Sequence, residues 1–394
     1  MNTSDNNNNE KHENETVYKY EIILAWLTKK KVNPVMLGLG FFLLAPLPLT
    51  AWSFIFESNH FDFSVSNGGS GISYIENISW SISMFYLFPF ILVLSMYYYK
   101  AIPDLFFNHL IGKVVIPRSN DAGFLKAYRK EFFGQFNQWW IPLTAFLISL
   151  GLTLFYLMQV KDNPFDGWLF QYSQESGVEG NPKRITAIGV YATIIQVVLG
   201  YWIINLVARA LIFSRVLNEL FSGKRFTVKL SPAHEDNACG LSRIFQVSTM
   251  LNVIIFLTGI YMSLIVIDKW VIQNVSLVND MVSPLMLAGY ALLAPLLFFL
   301  PLWAPHNEMR DAKDEFIKPV CQQIDRVNND ILKTGECDKN KIKLLSRLRR
   351  ERLKLLKQIP VWPFDIRSIN TFFGAIIMPV VPTLLPFIVE SIYK

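Results

Sequence analysis

The stretch SPAHEDNACGLS, residues 231 to 242, gathers His234, Glu235, Asp236 and Cys239 within six positions of a 394-residue chain that holds five histidines and three cysteines. Three chemistries compete for it. A zinc site requires three or four convergent ligands, usually spaced as Cys-x-x-Cys or His-x-x-x-His, whereas His234, Asp236 and Cys239 form one local cluster with no second cluster to complete it. A cysteine nucleophile requires a base and an electropositive setting, and His234, five residues away, is the nearest base to Cys239. The third reading is structural: Pro232, Asp236, Asn237 and Gly240 are ordinary residues for a tight turn or a helix cap. The spacing favours the turn over a ligand site, and a ligand site over catalysis. No metal and no cofactor is expected, and the chain is not expected to be an enzyme.

Other chemistry-bearing residues are sparse. Gln196, Asn205 and Asn252 are polar residues inside apolar blocks, where an amide serves more often as an interhelical hydrogen-bond partner than as a substrate ligand. Arg209 falls near the end of its block and is expected to snorkel to the interface. So few ionisable residues inside the blocks argue against a proton-coupled carrier, though a channel can be lined by backbone carbonyls and gated by apolar constrictions. There is no phosphate-binding glycine loop, metalloprotease helix or serine-hydrolase elbow. NIS at 77 to 79 and NVS at 274 to 276 fit the glycosylation pattern, which matters only in a secretory host.

These residues are positioned by an all-helical polytopic bundle. Fifty-two per cent of the residues are hydrophobic and 17% charged, below the roughly 25% charged of a soluble domain. The apolar residues form six long blocks, about 34 to 56, 78 to 99, 139 to 158, 186 to 213, 248 to 267 and 283 to 303, with a less regular seventh at 371 to 390. Eighteen or more such residues can cross a hydrocarbon core about 30 Å thick, and backbone groups in lipid must be satisfied within the segment, so the blocks should be helices.

Thirty-two of the 37 lysines and arginines fall in the tail and the even-numbered side of this topology, which the positive-inside rule makes cytoplasmic. The N-terminus is therefore expected in the cytoplasm. Cys239, Cys321 and Cys337 fall on the same side, where thiols stay reduced. The net charge of +6 is accounted for by basic helix ends meeting anionic headgroups, so membrane lipids are expected partners and nucleic acid is not.

Four regions follow. Residues 1 to 16 read as a disordered Asn-rich tail, 17 to 303 as the transmembrane domain, 304 to 360 as a cytoplasmic helical hairpin, and 361 to 394 as a re-entry segment with the seventh hydrophobic helix. Within the second connection Phe124, Tyr128, Phe132, Phe136 and Trp140 recur every four residues, the mark of an amphipathic helix, read chiefly as a headgroup-level anchor and secondly as a lever on the spans. In the hairpin, Ile317, Val320, Ile324, Val327 and Ile331 form a heptad seam that a second basic helix, or a neighbouring subunit, can cover. Pro319 is expected to kink this helix or to begin a new one. Pro379, Pro382 and Pro386 in the last block mark kinks or a broken helix of the kind that lines cavities.

The loop HEDNACGL resembles the His-Pro-Asp-x-Ala-Gly-Gly-Leu loop of a family of uncharacterised bacterial polytopic membrane proteins. His234, Asp236, Ala238, Gly240 and Leu241 match it, while Glu235 replaces its proline and Cys239 its first glycine. The resemblance, which extends over about 230 to 316, implies a bacterial inner (plasma) membrane and no particular activity. The prolines and the seam together suggest a homo-oligomeric channel or permeation pathway gated from the cytoplasm; the alternative is a non-conducting scaffold or sensor that recruits a cytoplasmic protein. A cysteine introduced at Asp236 is expected to react with an impermeant maleimide only after cells are permeabilised, and one at Asn274 in intact cells; labelling at 236 in intact cells would reverse the assigned orientation.

Overall fold

The computed structural model describes residues 27, 30–52, 78–119, 122–160, 170–172, 182–185, 187–230, 239–267, 282–334 and 339–358. Among them six helices are long and apolar enough to cross a membrane: Pro34–Trp52, Ser79–Leu110, Gly123–Met158, Ala187–Phe221, Ser242–Ile267 and Leu285–Lys333. The all-helical polytopic architecture is thus the observed one. The tail, the seventh block with Pro379, Pro382 and Pro386, the residues His234 and Asp236, and Cys337 lie outside the described residues.

Local sequence explains where these helices start and bend. Asn33 caps α1 (Pro34–Leu44), its side-chain oxygen accepting from the Val35 N–H at 3.0 Å, with Pro34 in the first turn where no donor is needed. Pro46 cannot donate to the preceding turn, and a second helix, α2 (Pro46–Trp52), starts there. The second crossing comprises α3 (Ile78–Ile82), a π-helical turn at Ser83–Leu87, α4 (Phe88–Asp104) and another π turn at Leu105–Leu110. Each π turn lies close to a proline, Pro89 or Pro103, which has no backbone donor.

The third crossing is divided. Helix α5 (Ala122–Phe136) ends before Asn137, and α6 (Trp140–Val160) starts three residues later with Pro142 in its first turn. Helix α7 (Ala187–Phe221) follows, then α8 (Ser242–Ile267), α9 (Val282–Thr334) and α10 (Lys339–Gln358). At 1.5 Å per residue α7 is about 50 Å long and α9 about 80 Å, so both extend well beyond a 30 Å hydrocarbon layer. Pro319 neither ends nor restarts α9, which also runs through Pro295, Pro301 and Pro305. The packing of Ile317 and Ile324, both buried, holds this part of the helix together in spite of the lost backbone bond.

Two short antiparallel ribbons tie the connections. Strand β1 (Val115–Pro117), between the second and third crossings, pairs with β4 (Phe226–Val228), between the fourth and fifth, in the register Ile116 to Thr227. This joins two connections that alternate crossing also places on one side, the side rich in lysine and arginine. Strands β2 (Phe170–Tyr172) and β3 (Pro182–Ile185) pair on the other side. One continuous hydrophobic core runs from Leu49 and Met84 in the crossings to Phe226 and Met309 beyond them.

Outward-facing Phe146, Ile148, Leu152 and Phe155 of α6 and Leu285, Leu292 and Trp303 of α9 are exposed, as lipid-facing side chains should be. Small residues set the close contacts between helices. The Ser149 hydroxyl on α6 donates to the Val197 carbonyl of α7 at 2.7 Å, and a Cβ at Gly200 would collide with that hydroxyl. Replacing Gly200 by Leu should therefore cost about 1–3 kcal/mol through overpacking, seen as a lower thermal unfolding midpoint in detergent. Gly151→Ala, at a position with open space around it, should leave the midpoint unchanged or raise it slightly.

Candidate functional site beneath the basic face

Arg209 is the one charged side chain among the described residues that is fully buried, at 1% exposure. The expectation that it snorkels is overturned. Helix α7 continues for three more turns, and Ala210, Phe213, Leu217, Leu220 and Phe221 extend its buried face, so Arg209 is not at a helix end. Its guanidinium donates to the Phe136 carbonyl at 2.8 Å. That carbonyl ends α5, where the chain leaves the helix and the last C=O groups lose their intrahelical donors. A cation there also meets the negative end of the helix dipole, which offsets part of the cost of burying it.

Around this bond lies an aromatic core. Phe132 packs on Phe106 at 4.7 Å between ring centroids and on Phe136 at 4.9 Å, and Phe106 meets Phe213 edge-on at 5.9 Å. Tyr128 stands edge-on to Phe226 of β4 at 4.9 Å. The four-residue stripe of α5 is thus buried in protein from Tyr128 to Phe136 instead of anchoring at headgroup level, because the π turn after Pro103 and the extended α7 supply aromatic partners. Trp140 alone of the stripe is exposed, at the start of α6.

Charge rims this core. The Arg129 guanidinium sits over Phe107 at 4.9 Å and near Phe133 at 5.7 Å, a cation–π pair. Arg225 donates to Glu131 at 2.8 Å and lies 3.6 Å from Glu219, linking α5, α7 and the turn before β4. The Glu131 hydrogen bond holds the Arg225 guanidinium above its ordinary pKa. Arg118 N–H donates to the Arg225 carbonyl at 3.1 Å and Lys229 N–H to the Val114 carbonyl at 2.7 Å, closing the ribbon.

The sequence candidates fall at different distances from this assembly. Cys239 and Gly240 form a turn with φ of 57° and 91°, both left-handed, and Cys239 and Leu241 are buried in the same core. A buried thiol in that conformation packs as a small apolar side chain. His234 and Asp236, which the metal and nucleophile readings require, are outside the described residues. Among the described residues no group of three or more His, Cys, Asp or Glu could hold a metal ion.

Asn205, buried on α7, shares a face with Trp202 and Arg209; Gln196 is half-buried on the same helix; Asn252 lies on α8, its Oδ1 buried without a hydrogen-bond partner. Most hydroxyls in the crossings are committed to their own helix: Ser95 to Ile91, Thr193 to Gly189, Ser214 to Ala210, Thr258 to Ile254 and Ser263 to Gly259. Tyr290 of α9 differs, its hydroxyl being buried without a partner against Gly259, where a Cβ would overlap the ring.

Sequence reasoning misjudged Arg209 and passed over the Arg225 to Glu131 pair and the Tyr290 to Gly259 contact. The available signal for the first was the apolar spacing of 210 to 221, which continues the buried face beyond the arginine.

Comparison of this chain with protein-family models, curated proteins and solved structures finds no match. The site must be read from its own geometry. It is suited to fixing the relative position of three crossings and two connections. Arg209→Met should leave the Phe136 carbonyl buried without a donor and destabilise the fold by about 1–3 kcal/mol. Hydrogen exchange should rise at residues 137 to 139, and Arg209→Lys should restore only part of the protection, because a point charge replaces a planar fork.

Proposed function

We propose that this chain is a non-conducting membrane scaffold or sensor that presents a helical stalk on its basic, cytoplasmic side and recruits a protein there. The observation that carries this reading is α9, one helix that begins among the crossings and continues to Thr334 without a break. About 30 residues of it lie beyond Trp303, and α10 packs alongside, the Lys313 ammonium donating to the Leu356 carbonyl at 2.7 Å. Phe316 and Leu332 remain exposed on this stalk, Leu332 at 80%. In this reading Phe316 and Leu332 are the apolar side chains that a partner would cover. Residues 304 to 360 act in this proposal as the hairpin that binds the partner, and a second copy of the chain can pair through the same face.

The likeness of HEDNACGL to a bacterial membrane-protein loop remains part of the proposal. It is supported by the left-handed backbone at Cys239 and Gly240, since a Gly-Gly pair adopts such a turn without steric cost.

A second reading, an oligomeric permeation pathway gated from the cytoplasm, is favoured by one observation. Ser248 Oγ and Asn252 Oδ1 on α8, Trp202 Nε1 on α7 and Tyr290 Oη on α9 are buried at membrane level without hydrogen-bond partners. Such groups are normally satisfied, and water threading between the helices would satisfy them.

The two readings separate in one pair of measurements on the full-length protein. A photo-crosslinking amino acid at Leu332 should yield a discrete adduct in cells, and liposomes holding the purified protein should pass no ions. Ion flux that falls when Asn252 is replaced by Leu, with no adduct at 332, would overturn the scaffold reading in favour of the pathway.

A further inference from the structure

Helix α10 has a second face that its packing against α9 does not use. It contacts α9 through Leu348, which is buried, with Leu345 and Leu355 half-buried beside it. Roughly a quarter-turn away Ile342, Arg349, Leu353 and Leu356 recur at spacings of 7, 4 and 3, and all four are exposed, Leu353 at 58%. The helix carries nine lysines and arginines against one acidic residue, Glu351, and Glu351 falls on the opposite side from this row. Exposed leucines in a row beside dense positive charge are the composition of a helix that lies in a headgroup layer.

Position supports the same occupant. The Lys313 to Leu356 hydrogen bond fixes the C-terminal end of α10 beside a residue only ten positions past Trp303, the exposed tryptophan that ends the apolar part of α9. Ten helical residues rise at most about 15 Å. The screened field of a charged surface reaches about 8–10 Å at physiological salt, beyond the headgroups themselves. The C-terminal half of α10 is therefore tethered where anionic headgroups are at high local concentration, which an untethered soluble partner does not match.

We propose that the C-terminal half of α10 rests on the anionic headgroups of the membrane that α9 crosses, with Leu353 and Leu356 as apolar anchors and Arg349 and Arg350 as their charged partners. The inference is independent of protein recruitment at the far end of the stalk.

The test uses the full-length chain with Cys239→Gly, Cys321→Ser and Cys337→Ser, carrying one fluorophore on a cysteine at Leu353 or, on the other flank of α10, at Leu344. The protein is placed in nanodiscs of phosphatidylcholine with or without phosphatidylglycerol, plus a lipid with a nitroxide on its headgroup. The label at 353 should be quenched several-fold more than that at 344 in phosphatidylglycerol, and the contrast should fade in pure phosphatidylcholine and at high salt. Arg349→Glu with Arg350→Glu should release the 353 label from the quencher. Equal quenching at the two positions, indifference to phosphatidylglycerol, or no effect of the double charge reversal would each overturn the proposal. Protection of the 353 label by added polyglutamate but not by phosphatidylglycerol would overturn it in favour of an acidic protein.

Discussion

A backbone carbonyl at the end of a helix has no donor of its own, and in an apolar interior that deficit must be met by another part of the chain. Here the chain leaves its helix at Phe136, and the guanidinium of Arg209 meets the carbonyl from α7. The consequences extend outward from that bond. Because the third crossing is divided there, α5 is free to take a different course from α6 and to lay its aromatic side chains on Phe106 and Phe226. Because α7 continues past the arginine, it reaches the ribbon of β1 and β4 and carries Glu219 to Arg225. The hydrophobic core thus continues from the crossings into the basic side, carried there by helices that pass through both.

The division of labour among polar groups follows from the same constraint. Most serines and threonines in the crossings, Ser95, Ser214 and Ser263 among them, bond to carbonyls four residues back on their own helices, which satisfies them without a neighbour; Ser149 reaches across to α7 and Ser248 Oγ is left without a partner. Amides and phenols are too large for that arrangement and must look across the bundle. Asn252 and Tyr290 are therefore the residues where the interior is least complete, and Gly259 shows how closely the helices approach around one of them.

The crossings were legible in the sequence because lipid imposes a length and an apolarity that no soluble core demands. The block at 248 to 267 coincides with the end of α8, and the block at 186 to 213 with the start of α7. What the sequence concealed was every feature that depends on a second element. Periodicity showed that Phe124 to Phe136 share a face, but not whether lipid headgroups or Phe106 would cover it. Pro319 was read by its local cost, while Ile317 and Ile324 buried against α10 outweigh that cost. The position of Arg209 was judged from where hydropathy falls, although the helix itself continues to Phe221. Of the conspicuous loop, the part inside the described residues, Cys239 and Gly240, is a left-handed corner sealed into the core.

The unbroken course of α9 has a mechanical corollary. Pro295, Pro301 and Pro305, each of which deletes a backbone hydrogen bond, fall within eleven residues around the edge of the apolar part, whereas the outer portion contains only Pro319 and is splinted by α10. Compliance is thus concentrated at the rod's base and stiffness toward its tip. A rotation of about 10° at that joint would swing the end of the roughly 50 Å of helix beyond Pro301 through about 9 Å, so small rearrangements among the helices would reach its tip enlarged.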